Sequence, residues 1–400
     1  MAIIQVGGQK SVAIVGAGLT GLLAAHGLQQ RGFRVVVLEQ DASIEARPRD
    51  WSILIHWAMP IFEKLVPPDI LADLCKAFCN PDLEFDDKVE SLPCYNGVTG
   101  HLLFQSKTPG ARRLSRQKLR RLLSRRVDIK WNKTAVNLAP TREGVRVCFE
   151  DGDMFEANYL LGADGSSSKI RELLLGADAA CPQPSGFLFA SGITDFADAS
   201  KTRSIVKAHP VAALMMGTGS VGAVGVMSVN DSGDESNWTT FWTKVWRGEG
   251  INLKGPEALE YIRQNTEPLR DVFQWAVDWT PADSTVHINE MKYWSPIAWE
   301  NLGGRVTLAG DAAHPMLIFR GQGFQHSIVD ADNFVKMLAK LELSEGLTAG
   351  REEAFAAYDA ELVERGSTAV QQSLDEAEKS LDADKIKHML MVTNGHGRST

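Results

Sequence analysis

The stretch SVAIVGAGLTGLLAAHGLQQRGFRVVVLEQD, residues 11–41, decides the fold. Ser11 to Val15 is a short apolar run that reads as a buried strand. Gly16-x-Gly18-x-x-Gly21 follows at once. Apolar residues at helical spacing then predict a helix from Gly18 to Gln30, stopped by Gly32, and Arg34 to Glu39 reads as a second strand. Strand, glycine turn, helix and strand in this order make a right-handed crossover and a parallel sheet. The three glycines act differently. Gly16 permits the tight turn, Gly18 lets a pyrophosphate approach the backbone, and Gly21 lets helix and strand pack closely. The helix N-terminus offers the phosphates free N–H groups and a favourable dipole. Glu39 ends the second strand about twenty residues on, where a carboxylate can bind ribose hydroxyls. An α/β fold built on a parallel, dinucleotide-binding sheet is expected.

The same spacing recurs at Gly217-x-Gly219-x-x-Gly222. There the following residues, AVGVMSVND, are strand-like, and no acid ends a second strand at the proper distance. Val211 to Val229 therefore reads as two buried strands joined by the turn GTGS, and neither as a phosphate site nor as a membrane span.

Composition bounds the partners. A chain of 400 residues, 44% hydrophobic, can bury a sizeable core, and a net charge of −8 argues against nucleic acid. Cys75, Cys79, Cys94, Cys148 and Cys181 form no CxxC pair, so neither a disulfide frame nor a metal site is expected. The opening MAIIQVGGQK is too short and glycine-broken for a signal peptide. A cytoplasmic protein without stable membrane insertion follows as the expectation.

Further along, a helix is expected near Ala58 to Leu65. A basic helix is expected over RRLSRQKLRRLLSRR, residues 112–126, with Leu114, Leu119, Leu122 and Leu123 as its buried stripe. Arg120, Arg121, Arg125 and Arg126 are assigned to its solvated face. GVRVCFEDGDMFEANYLLGADG reads as a hairpin turning at Asp151-Gly152-Asp153, followed by a strand into a glycine turn. Residues near 181–300 alternate as antiparallel strands do and hold most of the tryptophans, and after Gly323 the pattern is helical almost to the end.

Two more acids stand at strand ends. GADGSSSKIR, Gly162 to Arg171, could alone be a turn with an N-cap serine, and GDAAHP, Gly310 to Pro315, a capping aspartate. Three such sites in the order glycine-rich, DG, GD are harder to explain blandly. With these motifs the sequence resembles the class A flavoprotein monooxygenases, the aromatic-hydroxylase family with a single FAD-binding Rossmann domain. The likeness spans about residues 11–335. The pieces RPRDW, His56-Trp57 and GGRVTLAGDAAHPM…RGQG are most similar to the branch found in fungal secondary metabolism.

The resemblance implies a division of the chain. Residues 1–80, 110–178 and 300–340 would form a discontinuous FAD-binding domain. Residues 81–109 and 179–299 would form an interleaved antiparallel substrate domain, with a helical C-terminal region over 341–400. It implies that Asp311, after Gly310, binds the ribitol chain of FAD, and that Gly321-Gln322-Gly323 and the helix after them present N–H groups to the flavin pyrimidine edge. Arg116 would contact the flavin. Asp164, Gly165 and Arg171 would belong to the place where FAD meets the nicotinamide donor, with Arg171 holding the donor's pyrophosphate.

The implied reaction uses NADPH or NADH as a transient donor and dioxygen. A flavin C4a-hydroperoxide would hydroxylate or epoxidise an aromatic or polyene/alkaloid small molecule, in a monomer or homodimer. A phenolic substrate would benefit from a general base, for which His56 is the candidate; an epoxidation needs none. Trp294 and Trp299 are possible pocket walls, or core of the sheet. Ile318 stands where many members of the family have proline. The rivals are a flavin dehydrogenase or oxidase without oxygen transfer, and a carrier of the Rab-escort type, which lacks the GDAAH segment.

Overall fold

Five parallel strands carry the cofactor motifs, in the order Val306–Leu308, Tyr159–Gly162, Ser11–Val15, Arg34–Leu38 and Ile129–Lys130. The protein is described from a computed structural model covering residues 10–47, 49–84, 86, 89–217, 219–343 and 348–395. Residues 1–9, Pro48 of RPRDW and Thr218 of GTGS lie outside the described residues.

The register sets Val12 against Tyr159 on one side and Val35 on the other. Both faces of the sheet are covered, so the central strand is apolar without alternation, with Val12, Ala13 and Ile14 all buried. The helix Leu19–Gln29 is buried almost all round, because it packs against the sheet and against the helices Arg116–Leu123 and Gly323–Leu343. Its apolar residues accordingly fill more than one stripe.

A hairpin turning at residues 151–153 belongs to a three-stranded antiparallel sheet, Ala135–Pro140, Val145–Phe149 and Met154–Ala157. The segments 91–107 and 183–293 build an eight-stranded sheet, antiparallel except where Leu214 pairs in parallel with Cys94. Its longest strand, Gln183–Asp195, lies between Thr239–Arg247 and Thr285–Tyr293. The helices Gly255–Asn265 and Asp271–Trp279 pack on one face around Trp242, whose indole N–H donates to Thr280 Oγ1 at 2.8 Å. Ala212–Met216 and Ser220–Ser228 form the antiparallel pair expected around GTGS.

The basic segment departs from expectation. Arg112–Ser115 is a strand paired antiparallel with Ser52–Ile55, and only Arg116–Leu123 is helical. Ser115 caps that helix, its hydroxyl accepting from the Lys118 N–H at 3.1 Å. Leu114 is buried as expected, but from the strand. At the C-terminal side the helices Gly323–Leu343 and Thr348–Ser380 brace the parallel sheet. No helix of the described residues is long and apolar enough to cross a membrane.

Candidate cofactor site

A cleft opens at the C-terminal ends of the parallel strands. Gly16, Gly18, Glu39, Arg47, Arg116, Asp164 and Gly165 line it, so the glycine-rich turn, the acid that closes the second strand and the DG turn meet there. Gly16 has φ +109°, and a Cβ on it would stand 2.3 Å from the Ala163 carbonyl oxygen. The glycine turn therefore presses directly on the DG turn, and no other residue fits. At Gly18 the opposite holds: the nearest atom to an added Cβ is 4.0 Å away. No side chain caps the helix that starts there, and its first turn holds no acid. Its N–H groups and dipole are left to an anion, and the open cradle fits a pyrophosphate.

Glu39 is buried at the foot of the cleft. Its carboxylate accepts from the Ala17 N–H at 2.6 Å and the Asp41 N–H at 3.0 Å. Arg120 completes this clasp and corrects its placement on a solvated face. It is 4% exposed, donates from Nε to the Ala17 carbonyl at 2.8 Å, and lies 3.7 Å from Glu39 and 3.4 Å from Asp41. Arg121, Arg125 and Arg126 are exposed as expected. Arg116 lies over the Trp51 ring at 4.4 Å, and burial, then Arg120 and Arg47, lower its pKa.

In the DG turn Asp164 accepts from Ser168 Oγ at 2.5 Å and from the Lys169 and Ile170 N–H groups, while Ser168 caps the helix Lys169–Leu175. Burial raises the Asp164 pKa against these hydrogen bonds. Arg171 is not presented to the cleft, and its expected hold on a donor pyrophosphate is corrected. It is 1% exposed and lies 4.7 Å from the Trp294 ring. Its guanidinium donates to the carbonyls of Ala180, Ala312, Asp311 and Ser166. With these donors spent, Arg171 fastens the DG turn to the GD turn. Trp294 is likewise core, its indole N–H on the Ala179 carbonyl at 2.8 Å.

The GD turn is held from behind. Gly310 has φ +62°, a Cβ there would meet Thr20 Oγ1 at 2.5 Å, and its N–H donates to Asp330 at 2.7 Å. Asp330 is wholly buried, with His314 Nε2 at 2.6 Å and Arg365 Nη2 at 2.7 Å. Burial alone would raise its pKa; His314, Arg365 and the Gly310 N–H outweigh burial and hold it well below the usual range. Asp311 makes no side-chain hydrogen bond among the described residues. Burial raises its pKa, with His314 and Arg116 pulling the other way, yet its surface is exposed. A carboxyl both packed around and reachable by solvent lines a concavity.

The third part of that segment is pinned to the strand Ser52–Ile55. Gln325 accepts from the His56 N–H at 3.1 Å and donates to the Leu54 carbonyl at 2.6 Å, and Trp57 Nε1 donates to Gln322 at 2.9 Å. Gly321 and Gly323 flank Gln322 at the start of the long helix. His56 is 4% exposed, with its ring edge-on to Trp57. Asp330, Arg365 and Arg120 escaped the sequence reading. Each looks like a helix-surface charge until its partner from elsewhere in the chain is seen.

A family model described as "FAD binding domain" matches residues 113–373, and one described as "NAD(P)-binding Rossmann-like domain" matches 14–63. The chain belongs to the FAD-dependent monooxygenases of the class A aromatic-hydroxylase family. It is 30% identical to the FAD-dependent monooxygenase phnB of Penicillium herquei over 97% of this chain and 95% of that one. It is also 30% identical to cctM of Talaromyces islandicus over 96% of each. Among solved structures, 2,6-dihydroxypyridine-3-hydroxylase from Arthrobacter nicotinovorans shares the fold with a TM-score of 0.72, at 18% identity over 94% of this chain and 93% of that one.

Proposed function

We propose that the chain oxygenates an electron-rich aromatic or alkene small molecule, in secondary metabolism, with NADPH or NADH as a transient donor. Gly16 and Gly18 would hold the pyrophosphate of FAD and Glu39 its adenosine ribose. Asp311 would bind the ribitol chain, and Arg116 and the Gly321–Gly323 turn would contact the flavin. The FAD-binding part comprises 1–80, 110–178 and 300–340, and the substrate part 81–109 and 179–299. Bound FAD would take hydride from the nicotinamide and, once reduced, activate dioxygen.

The chain's own residues bind and orient. Glu39 and Arg120 fix the glycine turn, and Arg171 and Asp330 fix the turns on either side of Asp311. The N-terminus of the helix after Gly323 would favour the negative charge that develops on the flavin on reduction. Ile318 is 51% exposed beside that turn and offers apolar cover against water. His56 is the candidate general base for a phenolic substrate. The observation that carries this reading is the convergence of the glycine-rich and DG turns on one cleft, with Arg171 tying the DG turn to the GD turn. Candidate metabolites under labelled dioxygen test it. Products carrying one labelled atom with matched NAD(P)H consumption are expected; oxidised product without label identifies a dehydrogenase or oxidase.

A further inference from the structure

Six non-glycine residues have a positive φ among the described residues, and Arg320 is the one of them that is buried. Its φ is +71° and its ψ −5°, directly ahead of Gly321, whose φ is +60°. For a residue with a Cβ this left-handed backbone is disfavoured by about 10-fold, so something must hold it there. The side chain does. Arg320 is 3% exposed, and its Nη1 donates to Gln372 Oε1 at 2.8 Å, on the helix Thr348–Ser380. One turn further along that helix, buried Glu376 adds a negative charge that favours the guanidinium. Glu376 is itself fixed by the Leu390 and Met391 N–H groups, at 2.9 and 3.3 Å. A charged hydrogen bond made out of water offsets a backbone cost of that size.

The strain sits where the chain turns back into the long helix. Ahead of it Leu317 and Phe319 are core residues. The Leu317 N–H donates to Ser373 Oγ at 3.2 Å, and the Phe319 ring meets Phe187 edge-on at 6.4 Å. After it the Arg320 carbonyl accepts from Gln322 Nε2 at 3.2 Å, and Trp57 holds the other end of that amide. Gly321 and Gly323 have no side chain to anchor them, and the helix that follows has no acid in its first turn. The path by which the chain enters that helix is therefore set at Arg320.

We propose that Arg320 is a positioning residue: anchored to the helix Thr348–Ser380, it holds a strained peptide that aims the next helix N-terminus at the pyrimidine edge of FAD. This rests on the reading that the Gly321–Gly323 turn contacts the flavin. The helix Thr348–Ser380 thereby takes part in stabilising the reduced flavin, though it supplies none of the motif residues.

The test is the midpoint potential of the bound flavin, measured by equilibration with reference dyes in FAD-loaded protein without substrate. Arg320→Ala keeps the strain and loses the anchor, so its turn relaxes. The reduced-to-oxidised ratio at a given potential should then fall by about 10-fold, which is about 30 mV for a two-electron couple. Arg320→Gly also loses the anchor but adopts the left-handed backbone without cost, and should stay within about threefold of the parent. Gln372→Leu removes only the acceptor and should shift the ratio the same way by less, which keeps the test open if Arg320→Ala does not fold. Gly321→Val strains the turn directly, since an added Cβ there meets nothing within 4 Å, and should lose FAD or shift as far as Arg320→Ala. A parent potential in Gly321→Val overturns the reading of the turn, and this proposal with it. If Gly321→Val shifts, the role of Arg320 alone is overturned by either of two results. One is a parent potential in Gln372→Leu and in any folded Arg320→Ala, with only the unfolding midpoint lowered, as for a structural contact. The other is Arg320→Gly shifted as far as Arg320→Ala.

Discussion

Two turns of this chain share the spacing Gly-x-Gly-x-x-Gly, at 16–21 and at 217–222, and have different physical settings. The first ends a central parallel strand and opens the uncapped helix Leu19–Gln29. The second joins antiparallel strands, and Gly222 sits within Ser220–Ser228, paired with Met215 and Lys244. At Gly16 the neighbouring DG turn leaves no space for a Cβ; at Gly219 nothing lies within 4 Å of one. Glycine spacing marks a phosphate site only where a helix N-terminus follows it. In the hairpin Gly217 and Gly219 serve positive φ, and Gly222 leaves room for Leu269.

The largest effect should come from Gly16→Val, where both φ and the Ala163 carbonyl oppose a side chain. A cost of about 4 kcal/mol or more is expected, read as protein that is insoluble or lacks FAD. Recovery of soluble protein with a full flavin spectrum would break the contrast. Next comes Arg171→Ala, which strips four carbonyls of their donor and should cost about 3 kcal/mol or more in denaturant unfolding. The folded, FAD-replete fraction should be reduced by NAD(P)H at the parent rate in stopped flow; a slow rate would restore a donor-binding role.

Arg120→Ala should cost about 3 kcal/mol, since it uncovers buried Glu39. Arg121→Ala, one residue on, should stay within about 0.5 kcal/mol. Equal effects would mean the clasp on Ala17 contributes nothing. Asp359 offers an effect of opposite sign. It is nearly buried behind Val306–Leu308, bonded to Thr307 and Asn301, and burial raises its pKa from 3.8 to about 6. An acid raised on folding contributes stability below its unfolded pKa and loses it as pH rises through the folded one. Asp359→Asn should therefore gain about 1–3 kcal/mol above pH 6 and nothing near pH 4, read from unfolding midpoints across pH. Apart from the Arg121→Ala control, the smallest effect belongs to Gly219→Ala, about 1 kcal/mol of backbone strain with FAD content unchanged.

The strand–turn–helix–strand unit of residues 11–38 is legible because its signals are local: apolar period, glycine punctuation and a closing acid. The hairpin at 151–153 and the turn around Gly217 are legible for the same reason. Arg112–Ser115 reads as helix because Leu114 falls in helical phase with Leu119, Leu122 and Leu123. Its strand state depends on pairing with Ser52–Ile55, some sixty residues away. Ser115 ahead of Arg116 is the available signal for a later helix start. Arg120 and Asp330 are illegible in kind, since a charge on a helix reads as solvated unless its partner is close in sequence. Theirs are Glu39 and Asp41, and His314 and Arg365. Asp311, Glu39 and Arg116 are readable as residues of interest, but the concavity around Asp311 exists only in three dimensions.

The outer strand Val306–Leu308 and the Gly310 turn belong to the sheet that begins at Ser11, and Arg365 braces them from later still. A growing chain therefore makes the pyrophosphate cradle first and its back wall last. Until residue 308 has been synthesised, Tyr159–Gly162 is an open sheet edge, available for mispairing. Val306–Leu308 closes that edge, and the same segment sets Gly310 against Thr20. The cover of that edge and the placing of Asp311 thus come from one segment of chain.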